Sequence, residues 1–225
     1  MKVIDNPELS RLMLDHLTGL YNLKKQRDEV HLSTLIYCLT RSFFDMKQDV
    51  EPTDMEVMLF ALGIGLQNEF TPANTTLPVI RKDGVVFSPD FVIKVGEGQY
   101  CEMKTTRMST ARDFPESWIE YIKGGCFMQG IKEYDLSVLY MMGNYKPPFP
   151  QLNSFRLEFD EAELEANWKY LMCRKEVFDE ALKNNRPPRP KEHCSDWECK
   201  NCRFKAQCDA MLMIPEPGIQ IGGQQ

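Results

Sequence analysis

The chain has 225 residues, of which 43% are hydrophobic and 27% charged, the balance of a globular protein with a buried core. No stretch approaches the ~18 consecutive apolar residues of a membrane-spanning helix, and the first residues lack the apolar segment of a secretory signal, so we expect a cytoplasmic protein. The formal net charge of −6 excludes a strongly basic nucleic-acid coat protein but allows local basic patches.

Helical periodicity dominates the first third of the chain. It predicts a helix over 7–25, a second beginning at Ser33 and running through Phe43, and a third from about Thr53 to Asn68. Ser33 and Thr53 are suitable N-cap residues. The third helix is apolar almost all round, which predicts that it is buried.

The periodicity then changes to that of strands. The predicted elements are strands over 77–82, 85–95 and 99–105, a helix over 115–128, a strand over 135–142, a loop over 143–150, and a long amphipathic helix over 160–183. The turns between the first three strands contain glycine, so these strands should form an antiparallel meander. This order of elements predicts an α/β domain with a mixed sheet.

Two acidic residues and a lysine fall on adjacent predicted strands. Glu102 and Lys104 are two residues apart and therefore share a face, and Asp90 on the neighbouring strand can lie within reach of them. Neighbouring carboxylates repel each other unless a cation lies between them, and a divalent ion with oxygen ligands supplies one. These residues suit metal-assisted phosphodiester hydrolysis, with Lys104 positioning a water molecule. The alternative is an ion pair on a solvated strand face.

Four of the eight cysteines crowd near the C-terminus. Cys199, Cys202 and Cys208 form a Cys-x2-Cys-x5-Cys pattern, which favours a metal centre and leaves a fourth ligand open. Cys194 would complete a local four-cysteine zinc site. Cys38 would instead join the two ends of the chain, as is typical of a [4Fe-4S] cluster. Three other cysteines lie in apolar surroundings and are expected in the core, namely Cys101, Cys126 and Cys173.

The segment Ser88-Pro89-Asp90, followed by Glu102-Met103-Lys104, resembles the PD-(D/E)XK nuclease superfamily. The resemblance implies a restriction-endonuclease-like mixed β-sheet core flanked by helices. In that superfamily the Asp, the Glu and the carbonyl of the residue between Glu and Lys hold Mg²⁺ or Mn²⁺. It therefore implies Asp90, Glu102 and Met103 as metal ligands, with Lys104 orienting the attacking water.

The RecB-like branch of that superfamily adds two further motifs. Its His or Glu on an earlier helix corresponds to Gln67 in the segment Gly63-x-x-x-Gln67, or to Glu69 in another register. Gln coordinates metal only weakly, so this departure leaves the second metal position open. The Gln-x-x-x-Tyr motif of the branch has no match at the right spacing, and Gln129 and Tyr121 are the accessory candidates.

Together, the nuclease motif and one cysteine before and three after the core resemble the iron–sulfur RecB-like nucleases. These include the fourth CRISPR-associated protein family and its phage-encoded relatives. The resemblance implies an exonuclease on single-stranded DNA or DNA ends, in the host cytoplasm if a phage encodes it. It also implies a structural [4Fe-4S] cluster on four cysteines: Cys38, Cys199, Cys202 and Cys208.

The resemblance divides the chain into four parts. These are an N-terminal helical extension (1–30), the PD-(D/E)XK nuclease core (31–150), a C-terminal helix with the cysteine-rich iron–sulfur region (151–213) and a disordered tail (214–225).

DNA is the expected partner, and basic residues flank both motifs: Lys104, Arg107, Arg112, Arg186, Arg189, Lys191, Lys200, Arg203 and Lys205. The chain lacks a phosphate-binding G-x4-G-K-[ST] loop, so any unwinding must come from another protein. The candidates are a helicase, a recombinase and a CRISPR integrase. The alternative function is a non-catalytic DNA-binding, recombination or CRISPR-adaptation accessory protein with a zinc site of four cysteines.

Overall fold

The computed structural model describes residues 7–25, 29–71, 79–93, 99–106, 114–141, 150–192, 194–200 and 202–213. The chain forms two compact units. The first draws on Met1–Ile36 and Glu51–Cys173, and the second on Tyr37–Val50 and Arg174–Gln225. The predicted division of the chain into four parts stays a prediction. Several predicted features lie outside the described residues: the tail 214–225, the turn 96–98, Arg107, Arg112 and His193.

Four helices precede the strands: α1 (Pro7–Lys25), α2 (Leu32–Ile36), α3 (Leu39–Lys47) and α4 (Asp54–Phe70). The prediction of α1 is confirmed. The predicted helix from Ser33 through Phe43 is wrong, because it is divided into α2 and α3. Cys38, between them, has a ψ of 113° and donates its backbone N–H to Glu198 Oε2 at 2.8 Å, so this N–H serves the second unit instead of a continuous helix.

The apolar helix α4 is less buried than predicted. It begins with a capping box in which Thr53 Oγ1 accepts from the Glu56 N–H and Glu56 Oε2 accepts from the Thr53 N–H. Only Val57 is fully buried among its described side chains. Only part of the surface of α4 is covered by other elements. Tyr21 of α1 packs its ring against that of Phe60, and Leu66 packs on apolar side chains of the sheet.

The first two strands, β1 (Ile80–Lys82) and β2 (Val85–Phe87), form an antiparallel pair of their own. The turn between them uses positive φ at Asp83 (50°) and Gly84 (72°). The predicted strand over 85–95 is interrupted after Phe87 and resumes as β3 (Phe91–Ile93). Pro89 accounts for the break, since it has no N–H for a sheet ladder.

The main sheet has the order β3-β4-β5-β6, with β4 (Gln99–Thr106), β5 (Glu133–Tyr140) and β6 (Gln151–Glu158). The β4–β5 pairing is parallel and its neighbours are antiparallel, so the sheet is mixed. The prediction of a mixed α/β fold is therefore confirmed at that level. β6 was not predicted.

Helix α5 (Glu116–Gln129) connects the parallel strands and packs closely on the β-structure. A Cβ on Gly125 would lie 2.6 Å from the ring of Phe87, so only glycine allows this approach. The helix ends at Gly130, which has the left-handed φ of 69° that favours glycine. The long helix α6 (Glu161–Lys183) follows β6 and continues from the first unit into the second.

The second unit joins α3 to the C-terminal segment, which contains α7 (Asp196–Cys199) and α8 (Lys205–Met213). The rings of Phe44 and Phe204 lie 5.2 Å apart. Thr40 donates its hydroxyl to the carbonyl of Pro188 at 3.1 Å, and Arg203 pairs with Asp45. Two distant parts of the sequence thus share one small core. None of the described helices is both long and apolar enough to cross a membrane.

Candidate active site and cysteine cavity

The acidic residues meet where β3 begins beside β4. Phe91 pairs with Cys101 in the antiparallel register, so Asp90, one residue earlier, lies opposite Glu102. Glu102 and Lys104 share a face of β4, as their spacing predicts. α4 brings Gln67 to the same place. The structure therefore brings together Gln67, Asp90, Glu102, Met103 and Lys104.

Both oxygens of Asp90 accept hydrogen bonds. Gln67 donates its Nε2 to Asp90 Oδ1 at 2.9 Å, and the Met103 N–H donates to Asp90 Oδ2 at 2.8 Å. These two bonds fix the orientation of the carboxylate. Lys104 Nζ pairs with Glu102 Oε1 on the same strand face.

Glu102 is the most deeply buried acid of the site, with 2% of its surface exposed. Its second oxygen, Oε2, is buried and has no hydrogen-bond partner among the described residues. Burial raises the pKa of Glu102 to about 7, although the charge of Lys104 lowers it. Burial also raises the pKa of Asp90. An unpartnered buried carboxylate oxygen costs about 1–3 kcal/mol, and a bound cation would remove that cost.

The donors at this site fit a hard divalent cation. Asp90 and Glu102 supply carboxylates, while Gln67 and Met103 can add amide and carbonyl oxygens. No three His, Cys, Asp or Glu side chains in the described part of the chain gather as ligands of one ion. Mg²⁺ does not need such a cage, because it is commonly bound through one or two carboxylates together with waters and substrate phosphates.

Of the other candidates, Tyr121 is close to the site and Glu69 points elsewhere. The Nζ of Lys104 lies 5.2 Å from the centre of the Tyr121 ring, and Tyr121 donates its hydroxyl to the carbonyl of Ser88 at 3.4 Å. Glu69 is exposed. It is two residues after Gln67 on α4, about 200° around the helix, so the contact of Gln67 with Asp90 favours the Gly63-x-x-x-Gln67 register.

Gln129 lies at the end of α5. It donates its Nε2 to the carbonyl of Gly125 at 3.0 Å, while its buried Oε1 has no partner among the described residues. Among the described residues, no hydrogen bond joins it to Asp90 or Glu102.

Tyr134, which the sequence analysis set aside because its spacing from Gln129 does not fit the Gln-x-x-x-Tyr motif, is a neighbour of the site. It lies on β5 two residues before Leu136, the parallel partner of Glu102, and so shares the face of Glu102. Its side chain is 2% exposed, and its hydroxyl has no hydrogen-bond partner among the described residues. Burial raises the pKa of Tyr134, and the charge of Glu102 raises it further. Its place beside Glu102 follows from the parallel register of β4 and β5, which the local sequence does not give.

The second unit contains a cavity of about 240 Å³. Five cysteines line it: Cys38, Cys194, Cys199, Cys202 and Cys208. The structure thus gathers all four cysteines of the expected cluster, together with the alternative zinc ligand. The Sγ atoms of Cys194 and Cys199 lie 3.7 Å apart.

Thiols in this number bind either a zinc ion or an iron–sulfur cluster. Two thiolates on one tetrahedral Zn²⁺ at about 2.3 Å would lie about 3.8 Å apart, which is close to the separation of Cys194 and Cys199. Burial raises the pKa of Cys208 to about 11 and also raises the pKa of Cys194, so these thiols are protonated when no cation is present.

The remaining cysteines and two basic residues differ from the expectation in part. Cys101 and Cys126 are buried as predicted, but the prediction for Cys173 is wrong, since it is exposed on the outer face of α6. Arg203 has 3% of its side chain exposed and pairs with Asp45, so it stabilises the second unit and presents no free charge to DNA. Lys205 pairs with Asp209 one helical turn away.

Comparison with solved structures supports the fold. The crystal structure of SSO0001 is similar to this chain, with a TM-score of 0.57 and 16% sequence identity over 90% of this chain and 97% of that one. At this identity the likeness shows the fold alone. No model of a known protein family matches the sequence, and no curated protein matches it.

Two exonuclease structures are also similar at lower scores. The complex of LHK-Exo with dAMP gives a TM-score of 0.43 and 12% identity over 70% of this chain and 91% of that one. A phage related exonuclease from Haemophilus somnus 129PT gives 0.43 and 11% over 74% and 100% of the two chains. At TM-scores below 0.5, these likenesses carry no argument about the activity of this chain.

Proposed function

We propose that this chain is a metal-dependent deoxyribonuclease of the PD-(D/E)XK type, an exonuclease that hydrolyses phosphodiester bonds of single-stranded DNA or DNA ends. The observation that carries the proposal is Glu102 Oε2, a buried carboxylate oxygen with no partner among the described residues, which lies beside Asp90 and on the strand face of Lys104. Buried polar groups usually have hydrogen-bond partners, so an unpartnered carboxylate oxygen beside a second carboxylate supports a cation site.

Each residue of the site has a distinct task in this proposal. Asp90 and Glu102 hold Mg²⁺ or Mn²⁺, with the carbonyl of Met103 and the amide oxygen of Gln67 as further ligands. The bound ion supplies charge stabilisation at the phosphate and a lowered water pKa. Lys104, paired with Glu102, orients the attacking water. Gln67 and the Met103 N–H keep the Asp90 carboxylate in position.

The second unit would carry a structural [4Fe-4S] cluster on Cys38, Cys199, Cys202 and Cys208. The cavity that these cysteines line supports a metal centre in the second unit, and the resemblance to iron–sulfur RecB-like nucleases favours the cluster over zinc. Such a cluster would connect Cys38 to a segment about 160 residues away, and metal binding of this kind contributes folding free energy.

One observation favours a second candidate, a non-catalytic DNA-binding or CRISPR-adaptation accessory protein with zinc in place of the cluster. The amide of Gln67 stands where the RecB-like pattern has His or Glu, and it donates a hydrogen bond to the Asp90 oxygen that a metal would use. A helicase, a recombinase or a CRISPR integrase would be the protein partner in either case.

The deciding experiment uses protein purified without oxygen and incubated with Mn²⁺ and end-labelled single- and double-stranded DNA. Cleavage by the wild type, lost in Lys104→Ala, is expected, and the size of the labelled products distinguishes release from an end from internal cuts. Glu69→Ala, an exposed acid on α4, is the matched control. Folded wild type that binds DNA without cutting it would favour the accessory protein. Iron, sulfide and zinc analysis separates the cluster from zinc.

A further inference from the structure

The cysteine cavity has one thiol more than a four-ligand centre requires. Cys194 lines the same cavity as the four cysteines of the expected cluster. Both Cys194 and Cys199 are half-buried. Neither side chain is enclosed in a packed core, so both sulfur atoms are accessible from the cavity.

Cys194 lies two residues before the single turn of α7, and Cys199 is the last residue of that turn. Ser195 and Glu198 close this turn with a capping box, and Glu198 Oε2 also accepts the backbone N–H of Cys38 at 2.8 Å. The turn holds the two sulfur atoms 3.7 Å apart, in contact with each other and beside Cys38. A metal atom bound to one sulfur could therefore be reached by the other after a small side-chain rotation.

We propose that Cys194 and Cys199 are interchangeable ligands, so that either sulfur can fill the same coordination position of the metal centre. This inference rests on the proposed cluster. The three other positions have a single cysteine each: Cys38, Cys202 and Cys208.

Charged side chains of both signs line the cavity. Two of the basic ones are already paired with acids, Lys205 with Asp209 and Arg41 with Asp45. These charges do not distinguish Cys194 from Cys199, and the separation of the two sulfur atoms carries the proposal.

Iron and acid-labile sulfide per chain are measured after anaerobic reconstitution with ferrous iron and sulfide. The variants are Cys194→Ala, Cys199→Ala, the double variant and Cys202→Ala, with Cys173→Ala as the control for an exposed thiol outside the cavity. We expect each single variant of the pair to keep nearly the iron content of the wild type. The double variant and Cys202→Ala should each lose at least about fivefold.

Among the variants, two results overturn the proposal: loss of iron in Cys199→Ala alone to the level of the double variant, or retention of iron in the double variant. If the double variant does not fold, the two single variants decide, since both must retain iron. Wild type that holds zinc and no iron refutes the proposed cluster, and zinc content in the same variants then tests the exchange. Wild type that holds neither metal overturns both.

Discussion

Replacing Glu102 with Gln is expected to inactivate the protein while making its metal-free form more stable. The substitution keeps the shape of the side chain and removes a carboxylate that is buried with one oxygen unpartnered. Glutamine is a close equivalent of protonated glutamate, and its amide oxygen can still accept from Lys104. The variant therefore shows what burying the charge of Glu102 costs.

The size of the effect follows from the pKa of Glu102, which burial raises from 4.5 to about 7. That shift corresponds to about 3 kcal/mol, and it already includes the opposing attraction of Lys104. Because the folded state binds the proton more tightly, the associated stability is fully present below pH 4.5 and is lost as the pH rises through 7. The Gln variant keeps it. The advantage of Glu102→Gln should be below about 1 kcal/mol at pH 5 and about 3 kcal/mol at pH 8.

Urea unfolding in EDTA at the two pH values measures this difference, and adding Mn²⁺ completes the test. Excess Mn²⁺ should stabilise the wild type by about 2.7 kcal/mol at one hundred times its dissociation constant and leave the Gln variant unchanged. DNA cleavage should fall by at least about a hundredfold. Glu69→Gln removes an exposed charge from α4. It should change neither the stabilisation by Mn²⁺ nor the rate of DNA cleavage.

Two outcomes would refute the reasoning. If metal-free Glu102→Gln is less stable than the wild type at pH 8, the carboxylate stabilises the fold and its burial needs no metal to explain it. If Mn²⁺ stabilises both proteins equally, the ion binds away from Glu102.

The remaining predictions concern four positions. Lys104→Met should reduce cleavage by about a hundredfold or more while Mn²⁺ still raises the melting temperature; loss of that thermal shift would instead make Lys104 part of metal binding. Gln67→Glu adds a third carboxylate beside Asp90 and should tighten Mn²⁺ binding about tenfold by calorimetry, whereas weaker binding would place Gln67 outside the metal shell. Gly125→Ala should cost about 1–3 kcal/mol in urea unfolding because its Cβ meets the Phe87 ring. Gly63→Ala, with no atom within 4 Å of its Cβ, should be neutral or stabilising by up to about 1 kcal/mol; equal costs would contradict this packing.

Local patterns predicted the elements whose causes are local. The bounds of α1 and the capping of α4 by Thr53 follow from helical spacing and cap chemistry. The break at Cys38 could not be predicted in this way, because the acceptor of its N–H is Glu198, far away in the sequence. β6 was missed because its core-facing residues include Gln151 and Asn153 as well as apolar ones, so its alternation was not visible as hydrophobic periodicity.

The acidic part of the site was predictable because it depends on one antiparallel pairing. A strand pair joined by a short turn fixes its own register, and that register sets Asp90 against Glu102. Tyr134 depends instead on the parallel pairing of β4 and β5, whose register is set by the packing of the α5 crossover. No pattern near Tyr134 carries that information.

The cysteines also differ in whether local sequence or long-range packing determines their place in the site. Spacing alone left Cys38 and Cys194 as competing fourth ligands, because spacing describes only which sulfurs a short turn can bring together. In the structure both of them line one cavity with the other three cysteines. The turn of α7 also holds Cys194 in contact with Cys199, and Glu198 from the same turn accepts the backbone N–H of Cys38. Under the proposed exchange the competition is between Cys194 and Cys199, which the sequence had placed in the same zinc site. Metal content of the Cys199→Ala variant decides between a fixed ligand and an exchangeable pair.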